Sequence, residues 1–258
     1  TVGFDIDQKL MNKKKFEKLI ELPTGFLHIC IPFSDNFKEN VKKLYSQFNP
    51  EIIVIHSTVS PYTTKKIQKE IPIPIIYSAT RGVHRRMLTD LKKYTKFYAL
   101  EKNAPKKQWA SQTFSKIMKK CGVKTQKMSE PIALELAKIV VDTSDYGWLI
   151  NYAQLSNMIA RKHHVDYDEM WSFSDEIHKY LGNRPKMFPG FIGGHCVIPN
   201  LELIDEEQLW KIDKINNTYA KKSRTQSQLQ KNTSKESNPM TNHNYLLLIK
   251  FRYFPRIE

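Results

Sequence analysis

The sequence predicts an α/β fold in which a parallel sheet is followed by a helical domain built on one long helix. Two patterns support this prediction. Up to residue 128, short apolar runs of strand length alternate with amphipathic segments of helical period. From Ser129 to His164 the apolar residues recur at helical spacing, and Gly147 is the one weak point in that pattern.

Five apolar runs are predicted as strands, with helices between them. The strands are residues 1–6, 25–32, 51–56, 72–78 and 96–100, and the main helices are residues 35–47, 62–70 and 104–120. Strands that alternate with helices form βαβ units and therefore a parallel sheet. Such sheets bind ligands at the carboxyl ends of their strands. The residues expected at that edge are Asp5, Pro32, Ser57, Thr58 and Ser78.

A Rossmann-like sheet normally starts with a strand and a Gly-x-Gly-x-x-Gly turn that holds the pyrophosphate of a dinucleotide. No such segment precedes the predicted strand at residues 1–6. The sequence therefore indicates a Rossmann-like parallel sheet lacking its first strand. Two explanations stay open: a fragment of a longer protein, or a degenerate cofactor domain. We expect a glycine-rich segment within about 30 residues upstream of Thr1.

The chain divides into three predicted regions. Residues 1–128 form a partial dinucleotide-binding domain, residues 129–210 a helical central domain with a cysteine loop, and residues 211–258 a basic, largely disordered tail. The stretch from Thr218 to Asn244 is polar, whereas Tyr245 to Phe254 is an apolar, basic run. That run is interpreted as a strand, a membrane-surface contact or a non-native end. The long helix, residues 131–164, is expected to provide a homodimer contact.

Composition excludes several classes of function. The net charge of +15 suggests nucleic-acid binding, but the lysines are scattered along predicted helices, as expected for solvated faces or attraction of an anionic ligand. We therefore expect no nucleic-acid partner. No apolar run is long enough for a membrane span, and no cysteine or histidine spacing predicts a metal site. Three widely separated cysteines favour a reducing compartment, so a cytoplasmic location is expected.

The stretch from Pro189 to Asn200 combines a Gly-Gly pair with His195 and Cys196. Glycines allow a tight turn, and a neighbouring histidine stabilises a thiolate, which is the nucleophilic form of cysteine. From composition alone, a buried free cysteine is the favoured interpretation, because free cysteine is among the most buried residue types.

This stretch resembles the active-site loop of the nucleotide-sugar dehydrogenases, the superfamily that acts on UDP-glucose, UDP-N-acetylhexosamines and GDP-mannose. The resemblance extends over residues 1–204. It implies an NAD-dependent enzyme that oxidises a sugar primary alcohol to a carboxylate in two steps, through a thiohemiacetal on Cys196. The substrate would be a nucleotide sugar or another anionic small molecule.

The resemblance also implies roles for particular residues. The catalytic set is Cys196, Lys138, Thr58, Asp142 and Asn200, and the cofactor-binding set is Asp5, Ile31, Pro32, Ser57 and Thr58. Lys138 would stabilise negative charge on the reacting oxygen, and Thr58 would help to place a water. Asp5 would accept hydrogen bonds from the adenosine ribose.

The sequence departs from the pattern at three points. Asp142 replaces the usual Asn, Asn200 replaces the usual Asp, and the segment from Ser78 to His84 lacks the usual catalytic Glu. Basic residues in and next to that segment, including Arg81, would suit a phosphate or carboxylate. The expectation is a divergent enzyme. The alternative is a non-catalytic remnant of the same fold that binds a nucleotide or a partner protein.

Overall fold

The computed structural model describes residues 1–180, 189–193, 197–203 and 207–233. Five strands lie in the first half: β1 Phe26–Ile29, β2 Ile52–Ile55, β3 Ile75–Tyr77, β4 Lys96–Tyr98 and β5 Thr125–Lys127. The helices of this half are α1 Lys13–Leu19, α2 Phe37–Phe48, α3 Thr63–Gln68, α4 Met87–Lys93 and α5 Lys107–Lys120.

The second half is helical in its described residues. Its helices are α6 Pro131–Leu136, α7 Asp145–Lys162, α8 Tyr167–Ser172, α9 Asp175–Tyr180, α10 Val197–Leu201 and α11 Glu207–Thr233. A π-helical segment, Ala137–Ser144, joins α6 to α7, so that one long helix runs from Pro131 to Lys162. The predicted long helix is thus observed, with a widened turn in its first half.

The first sheet is parallel, in the order β1-β2-β3, and β2 is completely buried at its centre. Alternate residues of β2 supply two cores. Ile53 and Ile55 face α2 and Leu134, whereas Ile52 and Val54 face α5. Strands β4 and β5 form a second parallel pair, which an antiparallel bridge between Tyr77 and Ala99 joins to β3. The prediction of a parallel α/β sheet is confirmed.

The predicted strand at residues 1–6 is wrong. This segment is irregular and mostly exposed, and the Asp5 carboxylate accepts a hydrogen bond from the Asp7 backbone N–H at 2.8 Å. Short acidic side chains compete for the backbone in this way and favour turns over strands. Phe4 instead packs near Phe16 and Phe48, with ring centroids 5.4 Å apart in both pairs. Within the described residues, β1 pairs only with β2 and forms the edge of the sheet.

The helical half has its own core where α7, α10 and α11 meet. Ile192, Val197, Leu201 and Ile212 are buried there. Gly147 allows this close packing, because a Cβ at its position would lie 3.1 Å from Val197 Cγ1 and 3.2 Å from Ile212 Cγ2. Glycine at this point of the long helix is therefore explained by packing.

Helix α11 corrects the prediction of a disordered tail, since residues 218–233 continue the helix to Thr233. Its first half is anchored by the buried side chains of Ile212, Asn216 and Tyr219. The Lys and Gln residues that follow have good helix propensity and extend a helix that packing has already nucleated. Residues 234–258, including the run from Tyr245 to Phe254, lie outside the described residues.

Candidate functional site

The carboxyl ends of β1 and β2 are linked directly. The Ser57 hydroxyl donates a hydrogen bond to the Ile31 carbonyl oxygen at 2.5 Å. Both residues are half-buried, as is Thr58, while Pro32 is exposed. The structure therefore brings together the predicted pair Ile31 and Ser57 at the edge where parallel sheets bind ligands.

Two histidines form a hydrogen-bonded pair beside this edge. His28 Nδ1 lies 2.9 Å from His56 Nε2, and His56 Nδ1 lies 3.0 Å from the Ser78 carbonyl oxygen. A carbonyl can only accept, so Nδ1 of His56 carries the proton and its Nε2 accepts from His28. Burial, reinforced by Lys96 and His28, lowers the pKa of His56 to about 3, which keeps this ring neutral.

A buried lysine approaches the same carbonyl from the other side. Lys96 is only 8% exposed, and its Nζ donates to the Ser78 oxygen at 3.1 Å. Burial is the main reason that the pKa of Lys96 falls to about 8, and the positive charges of Arg81 and Lys138 act in the same direction. No local sequence pattern indicates this network, because His28, His56, Ser78 and Lys96 are distant in the chain.

Lys138 and Asp142 lie on the π-helical segment and form an ion pair, with 2.6 Å between Lys138 Nζ and Asp142 Oδ2. The widened turn changes the backbone bonding, and two hydroxyls compensate. Thr143 Oγ1 donates to the Lys138 carbonyl at 2.9 Å, and Ser144 Oγ donates to the Ile139 carbonyl at 2.7 Å. Single π-helical turns of this kind are frequent at functional sites.

Glu135, one turn before, is a residue that the sequence analysis missed. Its carboxylate is fully buried and accepts hydrogen bonds from the Tyr62 N–H at 2.6 Å, the Thr64 N–H at 2.9 Å and the Thr64 hydroxyl at 2.7 Å. It thereby fixes the start of α3, and with it the loop that carries Thr58. A signal existed, because Glu135 lies four residues before the buried Ile139 and therefore on the same helix face.

The loop from Pro189 to Gly193 is held from two sides. Gln154 on α7 donates to the Gly190 carbonyl at 2.7 Å, and the Tyr219 hydroxyl on α11 donates to the Pro189 carbonyl at 2.6 Å. The Asn216 amide bonds both backbone groups of Ile192. Cys196 itself lies outside the described residues. Helix α10, which follows it directly and contains the half-buried Asn200, packs against the π-helical segment.

The loop after β3 is basic and is organised by Asp90. The Asp90 carboxylate accepts from the Val83 N–H at 2.9 Å and from Arg86 Nε at 3.0 Å. The Arg81 guanidinium donates to the Thr95 carbonyl at 2.8 Å. It also lies 5.1 Å from the centre of the Phe97 ring.

The remaining predictions concern Asp5, metals and membranes. Asp5 is exposed in the irregular N-terminal segment and does not follow a strand, so the predicted ribose-binding position at the end of a strand is not formed. Among the described residues, no three metal-ligating side chains come together. In the same part of the chain, no helix is both long and apolar enough to cross a membrane.

Comparison with known proteins supports the fold. No protein-family profile matches this sequence, and no curated protein matches it. The structure is similar to that of a UDP-D-ManNAc dehydrogenase from Pyrococcus horikoshii, with a TM-score of 0.60 and 16% identity over 84% of this chain and 59% of that one.

Two further solved structures give the same result. The UDP-N-acetyl-mannosamine dehydrogenase Cap5O from Staphylococcus aureus has a TM-score of 0.59 at 16% identity, and covers 81% of this chain and 54% of its own. An NDP-N-acetyl-D-galactosaminuronic acid dehydrogenase from Methanosarcina mazei Go1 has a TM-score of 0.60 at 14% identity, over 79% and 50% of the two chains. The chain thus spans between half and three fifths of the length of these proteins, and over that span it has the fold of the nucleotide-sugar dehydrogenases.

Proposed function

We propose that this chain carries part of the active site of an NAD-dependent oxidoreductase that oxidises the primary alcohol of a nucleotide sugar. One observation carries the proposal. Helix α10 begins directly after Cys196 and packs on the π-helical segment that presents Lys138 and Asp142. The proposed nucleophile, Cys196, and the proposed cation, Lys138, are far apart in sequence. Cys196 immediately precedes helix α10 and Lys138 lies on the π-helical segment, and these two elements are in direct contact.

The proposed chemistry assigns each residue a step. The Cys196 thiolate attacks the aldehyde formed in the first oxidation, and its sulfur becomes bonded to the sugar carbon as a thiohemiacetal. Lys138 holds the negative charge that develops on the reacting oxygen. Asp142 orients Lys138 through their ion pair, and Thr58 positions the water that hydrolyses the thioester after the second oxidation. Asn200, on α10, is assigned to the same catalytic group.

The residues present fit one half of the proposed NAD. Ile31, Pro32, Ser57 and Thr58 form a strand-end surface suited to the nicotinamide nucleotide, which accepts the hydride when bound. Among the described residues, Asp5 is not positioned for the adenosine half, because it lies in an irregular segment instead of at the end of a strand. We therefore assign only the nicotinamide side to this chain.

The test is turnover of UDP-sugars with NAD by the purified chain, followed by NADH absorbance. We expect Cys196→Ser to abolish formation of the carboxylate, whereas Cys121→Ser, a matched change at an exposed cysteine after α5, leaves it unchanged. Mass spectrometry should detect a sugar adduct on the wild-type chain that the Cys196→Ser variant lacks. Full activity in that variant would contradict the mechanism.

A second candidate is a protein-interaction module that has lost catalysis. It is favoured by the exposed apolar residues along the long helix, which are Leu136, Val140, Val141, Tyr146, Trp148, Tyr152, Leu155 and Ile159. Such a surface on a central helix suits a homodimer. Two measurements distinguish the candidates. Calorimetry detects NAD binding, and sedimentation of wild type and of Val141→Glu detects dimerisation through the long helix. Dimerisation without NAD binding supports the module, and NAD binding with turnover excludes it.

A further inference from the structure

Lys96 and Arg81, two cations beside the loop that starts at Ser78, have no role in the steps above. Lys96 is nine-tenths buried, and the positive charges of Arg81 and Lys138 contribute to lowering its pKa, so both lie within electrostatic reach of Lys96. Lys138 is neutralised by Asp142. Neither Lys96 nor Arg81 makes an ion pair in the described part of the chain, so both charges lack an anionic partner.

The hydrogen bonding of Lys96 is also incomplete. An ammonium group has three N–H donors, and one of them is satisfied by the Ser78 carbonyl. That carbonyl already accepts from His56. Within the described residues, nothing accepts from the other two donors of Lys96. A buried ammonium without an anionic partner is costly, and a bound anion removes this cost.

Arg81 supplies a second group of donors beside Lys96. The two residues line one small cleft together with Tyr94 and Thr95, with room for about one water-sized group, such as a single oxygen of an anion. One terminal nitrogen of Arg81 is used by the Thr95 carbonyl, and the guanidinium plane is supported by the Phe97 ring. Its remaining N–H groups are held in a fixed geometry, as carboxylate and phosphate recognition requires. The resemblance to nucleotide-sugar dehydrogenases predicts a Glu in the segment Ser78–His84, which here contributes positive charge instead.

We propose that Lys96 and Arg81 form a subsite for an oxyanion, a carboxylate or phosphate group carried by the substrate. The assignment to a substrate rests on the proposed oxidoreductase function. Binding of the anion itself does not depend on catalysis. The subsite lies beyond the carboxyl end of β3, on the same side of the sheet as Ser57 and Lys138.

Inorganic phosphate and acetate are the probes, added to the full chain at constant ionic strength with chloride as the reference anion. The readout is the increase of the melting temperature with anion concentration. We expect a saturable increase with at least one of the two. Lys96→Met should weaken the apparent affinity by about tenfold or more, the loss typical of a hydrogen bond to a charged group. Arg81→Met should also weaken the apparent affinity for the anion, and this variant provides the test if Lys96→Met does not fold.

Lys127→Met is the matched control, since it removes an exposed lysine from β5 and should leave the response unchanged. A stronger response to phosphate identifies a phosphate group, and a stronger response to acetate identifies a carboxylate. Cys196→Ser should bind the anion as wild type does, so that a failed mechanism and a failed subsite give different results. An equal response to chloride, or an unchanged affinity in both Lys96→Met and Arg81→Met, overturns the proposal.

Discussion

Replacing Glu135 tests whether the helical half holds the loop of the first sheet in place. In Glu135→Ala, the Tyr62 N–H, the Thr64 N–H and the Thr64 hydroxyl lose their common acceptor. The site is fully buried, so water cannot replace the carboxylate without repacking. Tyr62 is the most sensitive of these residues, because it has a left-handed backbone with φ of 67°.

The expected cost follows from these bonds. Each bond to a charged acceptor is worth about 1.5–3 kcal/mol, but bonds to one carboxylate are not additive. Burial also raises the pKa of Glu135, so desolvation of the charge offsets part of the gain. We therefore expect Glu135→Ala to lower the free energy of unfolding by about 3–5 kcal/mol. Glu135→Gln keeps one acceptor oxygen and should cost about 1–3 kcal/mol.

Urea denaturation, followed by fluorescence, measures this difference. Glu130→Ala is the control, because Glu130 is on the surface at the start of α6 and pairs with the exposed Lys102. Pairs of that kind contribute less than about 1 kcal/mol. If Glu135→Ala costs no more than Glu130→Ala, the carboxylate does not anchor α3 and the argument from buried hydrogen bonds is refuted.

Two further predictions concern pH. The pKa of His56 is lowered to about 3 in the native chain, so between pH 6.5 and pH 3 this side chain binds a proton only in the unfolded chain. The free energy of unfolding therefore falls as the pH falls below 6.5. Between pH 7 and about pH 5, wild type should lose roughly 2 kcal/mol more than His56→Gln in urea denaturation, and equal losses would contradict this. With the pKa of Lys96 lowered to about 8, its charge destabilises the fold at neutral pH. Lys96→Met should therefore unfold at a higher urea concentration, and its free energy of unfolding at pH 7 should exceed that of wild type by about 1–3 kcal/mol. This difference should shrink as the pH rises from 8 to 10.5, because the lysine of the wild type then loses its charge. A variant less stable than wild type at pH 7 would contradict the cost assigned to this charge.

The sequence predicts the elements whose local pattern agrees with their burial. Apolar runs such as the one from Ile52 to Ile55 are buried on both faces and stand out in the sequence. Strand β5 was missed, since Thr125, Gln126 and Lys127 form a polar strand with little burial. Helix α4 was missed as well, because its position depends on Asp90 and the loop that this residue organises.

The residues of the candidate site also divide into those that a local motif predicts and those whose contacts are distant in the chain. Ser57, Thr58, Lys138 and Cys196 belong to short motifs and were predicted from the sequence alone. The contacts of Glu135 with α3 cross more than 70 residues of chain, since the separations are 73 and 71 residues. No local pattern reports such partners. Only the burial of Glu135 on the face of Ile139 was accessible beforehand.

The charge distribution explains why these distant partners matter for the site. Asp142 stands where the resemblance predicts an Asn, and it neutralises Lys138 through a 2.6 Å ion pair. Asp142 offsets the carboxylate that the resemblance predicts at Asn200, but the basic loop after β3 stands where a Glu is expected, so positive charge replaces negative charge at that end of the sheet. An uncharged sugar gains nothing from that exchange, whereas a substrate with an anionic group would be attracted by Lys96 and Arg81. Under the proposed function, the basic loop in place of the expected Glu therefore favours a substrate with an anionic group.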